Sequence, residues 1–210
     1  MNFKKKKLRA GKFNGLPDYS RVLYERMTRL PGEVLSDFTP VEMCNLEYCE
    51  DRGAHIDPHI DDQWLWGERL VTLNLLSDSV LTFTNPSHPR VCVRVPLVRR
   101  SLLIVSGPAR HEWLHAVDPA HITDKRIAMT FRELSDEFRG DGPLASQGAP
   151  LVDVALTFRG CEIHQDITST TTHQDVTTTH LNDISSCKDT IPSSQNNTPT
   201  HPDLSQLHVH

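Results

Sequence analysis

AHIDPHIDDQWLWGERL, residues 54–70, carries two His-x-Asp pairs, His55-Ile56-Asp57 and His59-Ile60-Asp61. In an extended chain, residues two apart share a face, so each pair sends one imidazole and one carboxylate into the same small volume. The stretch runs into RLVTLNLLS, residues 69–77, whose branched apolar run between turn signals reads as a buried strand. Pro58 follows Asp57 and cannot donate to a ladder, which weakens the first pair as part of a regular strand.

The same grammar continues outward. LPDYSRVLYERMTRLPG, residues 16–32, predicts a helix that starts at Pro17-Asp18, has an apolar face of Val22, Leu23, Met27 and Leu30, and stops at Pro31-Gly32. FTPVEMCNLEY, residues 38–48, predicts a strand pair with a bend. VLTFTNPSHPRVCVRVPL, residues 80–97, predicts a hairpin turning at NPSHP. RSLLIVSG predicts a strand ending at Gly107, and HEWLHAV and KRIAMTFREL predict two more around the turn-like DPAH. LVDVALTFRG, residues 151–160, is compatible with a last strand or a short helix. Many short strands with Pro and Gly turns imply a mainly β sandwich or jelly roll with an N-terminal flanking helix.

From Cys161 onward the chain is Thr-, Ser-, Asn-, Gln- and His-rich, and HQDITSTTTHQDVTTTH nearly repeats itself. Such a segment buries too little apolar surface to offset its ordering entropy, so residues 161–210 are expected to be a disordered tail behind a domain at 1–160. Six acidic residues against Lys188 give that tail a charge of −5, equal to the whole chain's −5, so residues 1–160 are formally neutral. A neutral domain is no general nucleic-acid binder. KKKKLR, residues 4–9, is the local exception and reads first as a solvated charged end. The five cysteines are scattered and offer no second Cys pair for a zinc knuckle. No signal-peptide pattern or membrane-length apolar run is visible, and reduced thiols fit a cytoplasmic and nuclear location.

One His and one Asp two residues apart are two members of the facial triad that binds non-haem iron. The third should be a distant His, and His111, His115 and His121 are the candidates. Strand parity alone does not choose between His111 and His115. Arg126 and Arg132 lie six apart in RIAMTFR and so share a strand face, where two guanidiniums suit a dicarboxylate.

These features together resemble the AlkB family of Fe(II)/2-oxoglutarate dioxygenases. The resemblance is carried by NFKKKKL, FNGLPDYS, CNLEYCEDRGAHIDPHIDDQWLWGERLVTLNLLS, ARHEWLHAV and RIAMTFREL, which together span most of residues 2–135. IDPHIDDQWLWGERL narrows it to one animal subfamily. The resemblance implies a double-stranded β-helix fold and assigns His59 and Asp61, rather than His55 and Asp57, to the metal. It takes His115 from W-x-H-x-V as the third ligand. Arg126 matches the arginine that pairs with the far carboxylate of 2-oxoglutarate, and Arg132 the second arginine, near the iron-bound end. Tyr48 resembles a tyrosine that contacts the cosubstrate. Asn45 is carried over beside it, although relatives more often place that Asn two residues before the Tyr.

The implied reaction consumes Fe(II)-bound 2-oxoglutarate and O2, gives succinate and carbon dioxide, and removes an N-methyl group as formaldehyde. The subfamily implies methylated lysine in a protein such as actin as substrate, with N6-methyladenine in DNA as the alternative. Gln63 stands where nucleobase-repairing relatives often carry an acid, which favours the protein. The resemblance also implies an N-terminal region of roughly a hundred residues before NFKKKKL, an ordinary share of a domain, so the chain reads as N-terminally truncated. A non-catalytic jelly-roll binding module and a structural zinc domain are the competing classes. Structural zinc requires four closed ligands, and the sequence offers no fourth. Trp64, Trp66 and Trp113 read as core packing, and His55, His111, His121 and the tail histidines as non-ligands.

Overall fold

The computed structural model describes Leu8, residues 13–160 and Leu207–Val209. In chain order its main elements are α1 (Ser20–Met27), β1 (Pro40–Tyr48), β2 (Ile56–His59), β3 (Trp66–Leu75), β4 (Ser79–Asn85), β5 (His88–Leu97), β6 (Leu102–Val105), α2 (Gly107–His111), β7 (Leu114–Val117), β8 (Arg126–Leu134), α3 (Ala145–Ala155) and β9 (Leu207–Val209). One sheet has the order β1-β8-β3-β6-β9 and the other β2-β7-β4-β5, with every pairing antiparallel. The chain crosses between the sheets after β1, β2, β3, β5, β6 and β7. This back-and-forth winding is the jelly roll that the strand pattern predicts.

Alternation along the larger sheet decides what lies where. Met43, Phe131, Val71 and Ile104 face one another across β1, β8, β3 and β6, and all four are buried. They share an apolar cluster with Met27 of α1 and Leu151 and Ala155 of α3. Removing one such side chain from water contributes about 1.5–3 kcal/mol. The opposite parity is polar. Glu42, Arg132 and Leu70 form one row, Cys44, Thr130 and Thr72 the next, Leu46, Ala128 and Asn74 a third, and Tyr48 lies beside Arg126. Buried charges in the middle of a sheet face need partners or a purpose.

Several local expectations change. The segment expected to bend into two strands is the single strand β1, irregular only between Pro40 and Glu42. In α1, Val22 points to solvent at 54% exposure, while Ser20 and Met27 face inward. β6 stops at Val105, and Gly107 opens α2 instead of ending a strand. His111 therefore sits on a helix and Trp113 just outside β7, so neither shares a strand face with His115. The undecided segment after residue 150 is helical through Ala155. The hairpin turns as expected, with Asn85 opposite His88 and the Asn85 side chain accepting from the Ser87 amide. The expected disordered tail lies outside the described residues except for Leu207–Val209, which pair with β6.

Candidate metal and cosubstrate site

His59 ends β2 and pairs directly with His115 of β7. The register slips between Ile56 and His59, where Pro58 has no amide to give. Asp61 lies beyond the strand, so strand parity is not what brings it to His59. A turn does so instead. The Asp62 carboxylate accepts from the amides of Trp64 and Leu65 at 2.8 and 3.1 Å, and the Asp62 carbonyl accepts from the Trp66 amide. This places Asp61 Oδ1 3.3 Å from His59 Nε2 and 3.9 Å from His115 Nε2. One ligand atom from each of the three residues falls within 4.8 Å of the others, and no other such group occurs among the described residues.

The neutral His115 and the ionised Asp61 suit a cation, and the His59 ring is oriented for one. His59 Nδ1 lies 2.8 Å from the Asp57 carbonyl; donating there leaves Nε2 with its lone pair toward the cluster. Burial lowers the His115 pKa to about 4, so this imidazole is neutral at physiological pH. Asp61 is held well below the usual carboxylate range: burial opposes its charge, but Arg132, His59 and His115 outweigh it. Burial likewise works against charge on His59, yet its contacts with Asp61 and the Asp57 carbonyl raise its pKa overall. Two nitrogen donors and one carboxylate, with no fourth protein ligand among the described residues, fit an open iron site and not a closed structural zinc site.

The two arginines play different parts. Arg132 is already engaged by two acids: its Nε donates to Asp61 Oδ2 and its Nη1 to Glu42 Oε2, both at 2.7 Å. Arg126 is 2% exposed and has no carboxylate partner among the described residues. Its Nε donates to Asn74 Oδ1 at 2.6 Å, its guanidinium lies 4.7 Å from the Tyr48 ring centre, and its Nη1 is buried without an acceptor. The Tyr48 phenol is pushed up by burial, against the pull of Arg126. Around this end Tyr48, Val117, Ile122 and Ala128 form a small apolar cluster. A buried cation with an orphaned donor among apolar walls fits one end of a short dicarboxylate.

Asn45 does not join them. It is three residues from Tyr48 and so on the other face of β1, where its Nδ2 donates to the Tyr19 hydroxyl at 3.2 Å. Leu46 takes the position two before Tyr48 on the site face. His111 pairs with Glu68 at 2.7 Å, and His121 lies on the Pro119–His121 turn; neither reaches the cluster. His55 and Asp57 form only an exposed pair with each other. The Gln63 amide donates to the His111 carbonyl at 2.8 Å.

Two residues with clear work here escape sequence reasoning. Asn74, 1% exposed in the middle of an apolar strand, meets Arg126; a buried amide in such a run is itself the signal. Arg110, 1% exposed, donates to the carbonyls of Asp61, Asp62, Trp66 and Gly67. It clamps the turn that carries Asp61. Nothing in ARHEWLHAV distinguishes it from a surface arginine until the fold brings α2 against residues 61–67.

A family model described as the 2OG-Fe(II) oxygenase superfamily matches residues 2–132. The human alpha-ketoglutarate-dependent dioxygenase alkB homolog 4 is 44% identical over 189 residues, covering 76% of this chain and 62% of the human protein. Its mouse counterpart is 42% identical over the same shares. A Caenorhabditis elegans protein named DNA N6-methyl adenine demethylase is 39% identical over 153 residues, 72% of this chain and 52% of that one. The chain thus spans less than two thirds of the length of these relatives. With the jelly roll, the His-Asp-His cluster and the buried arginine in place, the match shows that this chain belongs to the 2OG-Fe(II) oxygenase superfamily, in its AlkB-like branch.

Proposed function

We propose that the protein is an Fe(II)/2-oxoglutarate-dependent dioxygenase that removes N-methyl groups oxidatively, with His59, Asp61 and His115 as iron ligands and Arg126 as the anchor for the far carboxylate of 2-oxoglutarate. The observation that carries this reading is a three-ligand cluster at the junction of the two sheets together with a buried guanidinium of β8 whose Nη1 has no partner among the described residues. Bound iron would couple decarboxylation of 2-oxoglutarate to oxidation of a C–H bond by O2. The chain's part is geometric and electrostatic. Asp57 fixes the His59 tautomer through its carbonyl. Arg132 holds the Asp61 carboxylate by one oxygen, leaving the other toward the imidazoles. Glu42 holds Arg132 from its far side. Tyr48 closes the face of Arg126 against water.

For the substrate, methylated lysine in a protein such as actin follows from the subfamily resemblance of IDPHIDDQWLWGERL. The uncharged Gln63, its amide already committed to a backbone carbonyl, supports it. The name of the nematode relative supports N6-methyladenine in DNA as the second reading. The test is succinate formation from 2-oxoglutarate with Fe(II), ascorbate and oxygen, beside the His115→Ala variant, with formaldehyde measured on methyl-lysine actin peptides and on methylated duplex DNA. Succinate from the wild type alone supports the site, and the substrate that releases formaldehyde selects the reading. Equal succinate from both proteins would refute the iron assignment.

A further inference from the structure

Four buried or nearly buried arginines differ in what surrounds them. Arg69 meets Glu133 and Asp37, Arg132 meets Asp61 and Glu42, and Arg110 is wrapped by four carbonyls. Arg126 has neither an acid nor a ring of carbonyls, and of the four it alone keeps an Nη1 without an acceptor among the described residues. Among the described residues its Nε donates to Asn74 Oδ1, and the Tyr48 phenol is its other polar neighbour.

The Asn74 amide can sit only one way. Its Nδ2 is ringed by three acceptors, the carbonyls of Ser77 at 2.9 Å, Leu97 at 3.0 Å and Val98 at 3.2 Å. A flipped amide would set oxygen against three oxygens and nitrogen against a guanidinium, so Oδ1 is committed to Arg126 Nε at 2.6 Å. The backbone of Asn74 adds two more ties, to Ser101 and Arg100. An amide so fixed sets the plane of the guanidinium. Being neutral, it does this without cancelling the charge, whereas an aspartate there would bind Arg126 as an internal counter-ion. Ala128, opposite Asn74 in β8 and two residues from Arg126, adds little bulk beside the free donor.

We propose that Asn74 is the positioning residue of the cosubstrate site: it orients Arg126 for the terminal carboxylate of a 2-oxo dicarboxylic acid and so sets selectivity for a diacid over a 2-oxo monoacid. This rests on the assignment of Arg126 above.

The test is equilibrium binding under argon to the Mn(II)-loaded full chain, followed by calorimetry, with 2-oxoglutarate and with 2-oxobutyrate, which lacks the terminal carboxylate. The wild type should prefer 2-oxoglutarate, and Arg126→Met should remove the preference; failure of either refutes the cosubstrate reading and this inference with it. Given that result, Asn74→Ala should weaken 2-oxoglutarate about tenfold or more, the cost of leaving an ionic hydrogen bond poorly made, and leave 2-oxobutyrate unchanged. Adding Asn74→Ala to Arg126→Met should cost nothing further. Equal weakening of both acids, or of neither, overturns the positioning role while leaving Arg126 as the anchor. Should Asn74→Ala not fold, Asn74→Asp keeps the shape and supplies a competing carboxylate; unchanged 2-oxoglutarate affinity in that variant equally overturns the proposal.

Discussion

At the scale of single residues, the charges of the site are partners before they are ligands. Asp61 faces two imidazoles with one oxygen and Arg132 with the other. His59→Ala and Asp61→Ala should each reduce 2-oxoglutarate turnover to background, because two ligands cannot hold a facial site; succinate release at wild-type rates from either variant contradicts the assignment. Arg126→Ala should raise the 2-oxoglutarate concentration for half-maximal turnover at least tenfold, since a carboxylate left unpaired in a buried site costs about 1.5–3 kcal/mol; an unchanged requirement contradicts the anchor. Arg110→Met should act differently from both. It removes four hydrogen bonds from the 61–67 turn without touching the arginine end of the site. Metal titration should show weaker Mn(II) binding than the wild type, and metal affinity equal to wild type in a folded Arg110→Met protein would show that the turn holds Asp61 unaided.

At the scale of elements, the strands that carry the site are clasped from the opposite face. Glu133 of β8 is fully buried and takes both Arg69 Nε and Nη2 at 2.8 Å and Arg139 Nη1 at 2.9 Å. Gly67 passes so close to β8 that a Cβ there would lie 2.7 Å from the Leu134 carbonyl, which explains the bare backbone between Trp66 and Glu68. Glu133→Ala leaves two guanidiniums without their shared acid and should cost about 3–5 kcal/mol of stability, read as a lower denaturation midpoint at unchanged m-value; a midpoint within experimental error of wild type would mean that water replaces the carboxylate. Parts of this were legible in advance. An apolar run between turn signals marked β3, and the NPSHP turn marked the β4–β5 hairpin. The α3 segment was not decidable, since a short apolar run has no period of its own. Val22 was misplaced because helix-face reading assumes a single buried side, and the contacts of α1 turn that residue outward.

At the scale of the whole molecule, the site is a junction between the two sheets. His59 and His115 belong to β2 and β7 of one sheet, Arg126 and Arg132 to β8 of the other, and Asp61 to the turn between them. A metal and a dicarboxylate bound together would tie one sheet to the other, so they should stabilise the fold as a unit. Mn(II) with 2-oxoglutarate at about a hundred times Kd should add about 2.7 kcal/mol and raise Tm in the wild type but not in His115→Ala; equal shifts in both proteins would place binding elsewhere.

Period-two patterning is local, so the sequence was enough for the β class and the shared face of the two arginines, whereas the ligand identities proposed for the metal came from the family resemblance. It left Asn45 on the wrong side only where the parity of a three-residue spacing from Tyr48 was set aside for a family pattern. The tertiary structure alone decided that Asp61 reaches His59 by a turn capped by Asp62 and clamped by Arg110, that Arg132 is spent on Asp61 and Glu42, and that Asn74 fixes Arg126. Apart from the local Asp62 cap, each of these joins residues far apart in the chain through buried or partly buried hydrogen bonds. Their partners are set by which strands become neighbours, and no local pattern encodes that.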